Sequence, residues 1–200
     1  VVLRDGAFAG ELPRDGLRRS DIERLMVGRD LAPAARRGSR GGAPVRLRTD
    51  RLVTGHPRAR AVDIDVRGGE VVALAGLVGS GRTELLEAIA GIAPHGGTVQ
   101  LDGAPVAGPA SERVRRGIAL VPEDRARHGI LAEDPVSVNV SLAWVGRPGA
   151  GPRIDRAAER GIVRRTVDRV LLRPADPARP VRTLSGGNQQ KAVLGRWIAV

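Results

Sequence analysis

Residues Leu184 to Lys191 read LSGGNQQK, and no other run restricts what this chain can become as tightly. The run predicts a loop that closes as a helix opens. Ser185 suits a helix N-cap, with a hydroxyl able to bond an amide or an anion. Gly186 and Gly187 lack a Cβ, so their backbone N–H groups can approach a phosphate closely. The helix behind them adds the positive end of its dipole. A small-residue cap before an amphipathic helix accounts for a bare Ser-Gly-Gly. The eight-residue string, taken with the motifs upstream, points to phosphate instead.

The upstream motif is Gly76-Leu77-Val78-Gly79-Ser80-Gly81-Arg82-Thr83. Its spacing is that of a phosphate-binding P-loop, G-x-x-x-x-G-K-[ST], with arginine at the lysine position. An ordinary glycine-rich strand-to-helix turn is the plainer alternative. The context is what a P-loop requires: Val71 to Ala75 is an apolar run expected as a strand buried on both faces, and Thr83 to Ala90 reads as a helix closed by Gly91. The amides of Gly76, Gly79, Ser80 and Gly81 would cradle phosphates. Arg82 would supply positive charge, with a planar fork that does not substitute freely for an ammonium. Thr83 would offer its hydroxyl to Mg²⁺. Lys191 is the only lysine, so no P-loop with lysine occurs in these 200 residues.

The remaining elements follow in order. Val1 to Leu3 and Ala7 to Ala9 flank Asp5-Gly6, a hairpin turn signal. Ser20 and Glu23 are spaced as a capping box, and Ile22, Leu25 and Met26 form a helical stripe ending at Gly28. Residues 32–44, rich in Pro, Gly and Arg, read as a linker. From Val45 a second domain begins. Val62, Ile64 and Val66 alternate with Asp63 and Asp65 as in a half-buried strand, and Gly68-Gly69 turns the chain. Gly97 to Leu101 with Asp102-Gly103 predicts a short hairpin. Ile118 to Val121 is expected as a buried strand leading to Pro122-Glu123-Asp124-Arg125, whose carboxylates are placed to hold Mg²⁺ or polarise water, although their order, Glu-Asp after a proline, is not the usual Asp-Glu on the strand. Residues 154–172 carry an amphipathic stripe through Ile162, Val163, Val167, Val170 and Leu171. The histidines, His56, His95 and His128, stand apart and read as exposed loop residues.

Composition closes off several classes. The chain has no cysteine, so it has neither a disulfide framework nor a thiolate metal site. No apolar stretch approaches the ~18 residues of a membrane span, and no signal peptide is expected. A net charge of +11 invites a nucleic-acid reading. Nearly all of it is dispersed arginine, however, and at 2% aromatic content there is no platform for stacking bases. No nucleic-acid partner is expected. A start without methionine and an end inside a helical pattern read as a piece of a longer polypeptide.

The succession of GLVGSGRT, VPEDR and VRTLSGGNQQK resembles one family: the ATP-binding subunit of bacterial ABC (ATP-binding cassette) importers for simple sugars, of the ribose, galactose and xylose type. The resemblance covers nearly the whole chain and implies an α/β fold, a P-loop NTPase of the ABC cassette type with a helical subdomain, here truncated. Those subunits fuse two cassettes. Residues 1–31 would then be the tail of the first, with LMVGRDL at the junction, 32–44 the linker, and 45–200 an incomplete second cassette whose carboxylate strand and switch histidine would lie beyond Val200. The cassettes would sandwich ATP with Mg²⁺ head to tail. Ser185, Gly186 and Gly187 would act across the interface on ATP held by the first cassette. Gly76, Gly79, Ser80, Gly81, Arg82 and Thr83 would form a degenerate site, and Glu123 would stand where most cassettes carry the Q-loop glutamine. No aromatic residue lies between Val45 and Ala75 to stack on adenine. The implied partners are transmembrane permease subunits, indirectly a periplasmic or lipid-anchored sugar-binding protein, and the other cassette. The implied location is the cytoplasmic face of the membrane. A soluble ABC protein outside transport, and a nucleotide-sensing module, are the alternatives. The first predicts long charged coiled-coil insertions, which are absent; the second is compatible with Arg82.

Overall fold

A computed structural model describes residues 1–4, 6–28, 42–146 and 153–200. Asp5, the end of the expected junction and residues 32–41 of the expected linker lie outside the described residues. Two compact units are present, Val1–Gly41 and Gly42–Val200.

In the first unit β1 (Val2–Arg4) pairs antiparallel with β2 (Ala7–Gly10), as the turn signal at Gly6 requires. Helix α1 (Arg19–Val27) follows and ends at Gly28 in the left-handed conformation. The expected capping box does not form. Arg18 is the N-cap, Ser20 lies inside the helix, and Glu23 pairs with Arg19 at 2.6 Å. The carboxylate is claimed by a cation one turn away, so the helix starts before the serine.

The second unit has two cores. The first belongs to a sheet of order β4-β3-β5-β6, built from β3 (Val45–Thr54), β4 (Val62–Arg67), β5 (His95–Leu101) and β6 (Ala104–Pro105), all antiparallel. The alternation read at Val62, Ile64 and Val66 is observed, with aspartates outward. Helix α2 (Arg82–Ile89) lays Leu85, Ala88 and Ile89 against Leu52 and Val99. Each buried Leu, Ile or Val among them contributes about 1.5–3 kcal/mol. The register of β3 shifts after Thr49, and the Thr49 hydroxyl satisfies both freed groups, donating to Val62 O at 3.1 Å and accepting from Ile64 N at 2.9 Å.

The second core is helical. After α3 (Ala110–Arg115) and the short α4 (Arg125–His128) come α5 (Val136–Val145), α6 (Arg156–Arg169), a 3₁₀ turn (Val181–Thr183) and α7 (Gly186–Ile198). Val136, Val140, Val163, Val167, Leu172, Val181, Leu184 and Ala192 pack together. Leu171 departs from the expected stripe. It takes a φ of 53° as α6 ends and is exposed, and Leu172 is buried in its place. Asn139, wholly buried, accepts from Leu131 N at 2.8 Å and returns a bond to Leu131 O at 2.9 Å. Arg196 of α7 donates to Asn139 O at 2.9 Å.

Two expected strands are not strands. Residues 71–75 and 118–121 lie outside any ladder; Val71 is 94% and Val121 45% exposed. A strand exists by exchanging backbone hydrogen bonds with a neighbour, and no described segment pairs with either run. Only Leu74 and Ile118 reach the sheet core. Two of the histidines, His56 and His95, also differ from expectation. His56 is half-buried, and its Nδ1 accepts from Arg58 N at 3.2 Å. His95 opens β5 with its Nε2 2.8 Å from Arg113 Nη2.

Arg113 is 2% exposed and donates to Ala88 O at 3.0 Å, Ile89 O at 2.7 Å and Gly108 O at 3.3 Å. It satisfies the orphan carbonyls at the end of α2 with a full charge. Arg113→Met should therefore cost about 2–4 kcal/mol, since buried carbonyls lose their donors; urea unfolding measures it. In the helical core Glu159 accepts from Ser141 at 2.8 Å and from Arg156 at 2.8 Å. The Arg156 contact holds the carboxyl below the usual carboxylate range, with Ser141 assisting against the opposing effect of burial. A depressed folded-state pKa adds stability above the unfolded value, about 4.3, which is lost as pH falls through the folded value. The stability difference between the protein and its Glu159→Gln variant should thus be full at pH 7 and shrink below pH ~4, read by unfolding across that range.

Candidate functional site

The glycine-rich turn lies between residue 75 and α2. Gly79 and Gly81 have φ of 76° and 86°, a backbone that L side chains adopt only with strain. Gly81 is the N-cap of α2, and Ser80 N closes the turn on Leu77 O at 3.1 Å. At Gly76 a Cβ would stand 2.6 Å from Ser80 Oγ, so the serine would have to shift to admit one. Arg82, the first residue of α2, is exposed and has no hydrogen bond or ion pair among the described residues. An uncompensated guanidinium beside the first amides of a helix is suited to an anion.

Thr83 Oγ1 donates to Glu123 Oε2 at 3.1 Å, joining residues 40 apart in sequence. Both line a cleft of about 790 Å³ with Arg82, Asp124 and His128. A hydroxyl beside a carboxylate is an oxygen donor set of the kind hard divalent cations take. Asp124 turns elsewhere. Its carboxylate caps α4, accepting from Ala126 N and Arg127 N at 3.1 Å each. His56 borders a second cleft with Ser80, Gly81 and Arg82, its ring 3.4 Å from where a Cβ of Gly81 would be.

The signature loop leaves the helical core at buried Leu184 and places Ser185 at the N-cap of α7, exposed. The expected position is correct, but the hydroxyl caps no backbone amide; it receives Asn188 Nδ2 at 2.9 Å. The polar residues behind it turn inward. Asn188 Oδ1 accepts from Arg173 N at 2.9 Å. Gln189 Nε2 donates to Val181 O and Leu184 O, both at 3.3 Å, while its Oε1 accepts from Arg125 Nε at 3.3 Å. Lys191 Nζ donates to Leu171 O at 2.7 Å. The Arg125 guanidinium comes so near that a Cβ on Gly186 would lie 2.6 Å from Nη2. Gly186 thus leaves room for the arginine.

The structure brings Thr83 and Glu123 together with the P-loop, and Ser185 together with Gly186 and Gly187. No hydrogen bond joins these two groups among the described residues. Arg125, Asn188, Gln189 and Lys191 were not singled out from sequence. For the last three the one signal was that the string runs on through NQQK beyond Ser-Gly-Gly; for Arg125 it was its place beside Glu123 and Asp124.

Comparison with known proteins shows the family. A family model described as ABC transporter matches residues 59–200. The chain is similar to the xylose import ATP-binding protein XylG of Burkholderia ambifaria, at 42% identity over 99% of this chain and 40% of that protein. It is similar to the ribose import ATP-binding protein RbsA 1 of Agrobacterium fabrum, at 38% identity over 100% of this chain and 39% of that protein. The chain thus spans about two-fifths of the length of these curated relatives. Among solved structures, cbiO1 of Clostridium perfringens, part of the ABC transporter complex cbiONQ, superposes with a TM-score of 0.61 at 18% identity, over 78% of this chain and 61% of that one; at that identity it speaks for the fold alone. With the family model matching most of its length, this chain belongs to the ABC transporter family, and its α/β fold is that of a partial ATP-binding cassette.

Proposed function

We propose that this chain is part of the ATP-hydrolysing subunit that drives import of a monosaccharide through a membrane transporter. It would contribute a signature loop to one nucleotide site and a P-loop to another. The observation that carries the reading is the signature itself. Asn188, Gln189 and Lys191 are bonded to the chain behind the loop, and Ser185, Gly186 and Gly187 are left at the open end of a helix. That arrangement serves a phosphate brought from outside this cassette. The names of the relatives, ribose and xylose import proteins, support the substrate class.

Residues 1–31 are read as the tail of a preceding cassette, 32–44 as linker and 45–200 as the second cassette. ATP held by the first cassette would meet Ser185, Gly186 and Gly187, whose donors favour charge on the γ-phosphate as the bond to the leaving group lengthens. At the second site Gly76, Gly79, Ser80, Gly81 and Arg82 would hold phosphates. Thr83 and Glu123 are the residues that would hold Mg²⁺, which when bound neutralises phosphate charge. Glu123 and the helices after it would face the permease subunits. A sugar-binding protein would act through the permease, and the subunit would sit on the cytoplasmic face of the membrane. No described helix is long and apolar enough to cross it.

In the complete subunit Ser185→Arg should abolish transport-linked ATPase and leave nucleotide binding largely intact, because the side chain blocks a contact made as the phosphate reacts. Normal turnover in this variant removes the signature assignment. Arg82→Ala should lower ATPase far less than removing the P-loop lysine of the other cassette, since Arg82 already departs from the lysine that phosphoryl transfer uses. Phosphate-release rates for the two variants make the comparison, and equal losses reverse the ranking of the sites.

A further inference from the structure

We propose that Asn188 is a positioning residue for the signature: it turns the Ser185 hydroxyl proton outward and keeps the oxygen from capping its own helix. The proposal rests on the reading of the signature as a phosphate-binding loop. A serine at the N-cap ordinarily accepts from the N–H two or three residues on. Here those donors are Gly187 and Asn188, and the Ser185 oxygen accepts from neither. It accepts from Asn188 Nδ2 at 2.9 Å.

The direction of that bond is settled at the other end of the amide. The oxygen and nitrogen of an asparagine are told apart by their partners. Arg173 N, 2.9 Å from Asn188 Oδ1, can only donate, so the carbonyl must face it and the NH₂ must face Ser185. A hydroxyl has one proton and two lone pairs. With a lone pair engaged by Asn188, and no described acceptor bonded to it, the proton is free to point out of the loop. The backbone N–H groups of Gly186, Gly187 and Asn188 likewise have no partner among the described residues, whereas Gln189 N is already bonded to Ser185 O at 2.9 Å. The result is a hydroxyl donor and three amide donors at one exposed helix end. Phosphate oxygens only accept. Had Ser185 capped the helix, one amide would be consumed; the bond from Asn188 holds the oxygen in the position where it does not.

The test is a double-mutant cycle in the complete two-cassette subunit assembled with its permease, with kcat for ATP hydrolysis and nucleotide affinity both measured. Ser185→Ala should lower kcat about 100-fold, the order seen for loss of one such donor. Asn188→Ala should lower it about 10-fold with affinity within about twofold, because it acts only through the hydroxyl's orientation. The double variant should be no slower than Ser185→Ala alone. Asn188→Asp keeps the size and the bond from Arg173 N but cannot donate to Ser185. It should lose at least as much as Asn188→Ala, and it carries the cycle if Asn188→Ala fails to fold. Losses that multiply in the double variant, or an Asn188 variant with normal turnover, overturn the proposal. Normal turnover in Ser185→Ala would instead remove the signature reading itself, so the two failures are distinguishable.

Discussion

The side-chain amide of Gln189 ties three separate pieces of this fold to one another. Its nitrogen donates to the carbonyls of Val181 and Leu184, its oxygen accepts from Arg125, and its own backbone N–H closes the first turn of α7 on Ser185. Each partner can only donate or only accept, so the amide has a single satisfied orientation. Asn188 and Lys191 extend the frame to Arg173 N and Leu171 O at the far end of α6. A loop containing two glycines would ordinarily be loose. This one is held from behind by side chains that leave its front face bare.

The glycine-rich turn before α2 and the loop before α7 stand on different cores. The P-loop belongs to the sheet core, where Arg113 satisfies the carbonyls that end α2. The signature belongs to the helical core. Pro122 to Arg125 runs between them. Glu123 accepts from the P-loop threonine, and Arg125 reaches Gln189 behind the signature. Asp124 stiffens the step by capping α4. Three consecutive residues thus have separate duties, and the charged run that reads in sequence as one carboxylate cluster is divided by the fold.

Sequence reasoning erred where a residue's state depends on which partner claims it. Val71 to Ala75 and Ile118 to Val121 have the composition of buried strands, but composition supplies no ladder partner, and most of their side chains remain exposed. Ser20 and Glu23 have capping-box spacing, but Arg19 is one turn from Glu23 and takes the carboxylate. His95 reads as solitary because Arg113 is 18 residues away. Local patterns fared better: the Gly6 hairpin, the alternation of β4, the hairpin at Asp102-Gly103 and the left-handed stop at Gly28 all formed where read.

The sequence by itself determined the features that depend on residue type and spacing. Glycines at 79 and 81 permit the left-handed turn, a serine before two glycines opens α7, and the order of GLVGSGRT, VPEDR and LSGGNQQK assigns the chain to its family. Only the tertiary structure decided which polar groups are spent and which are left over. Thr83 and Glu123 meet across 40 residues, Arg125 fills the space a side chain at Gly186 would need, and Arg173 N, 15 residues from Asn188, sets the orientation of the amide that bonds Ser185. The reason is that a hydrogen bond is directional and short-ranged. Its partner is chosen by where the packed cores bring distant backbone and side-chain groups, which spacing along one chain does not encode.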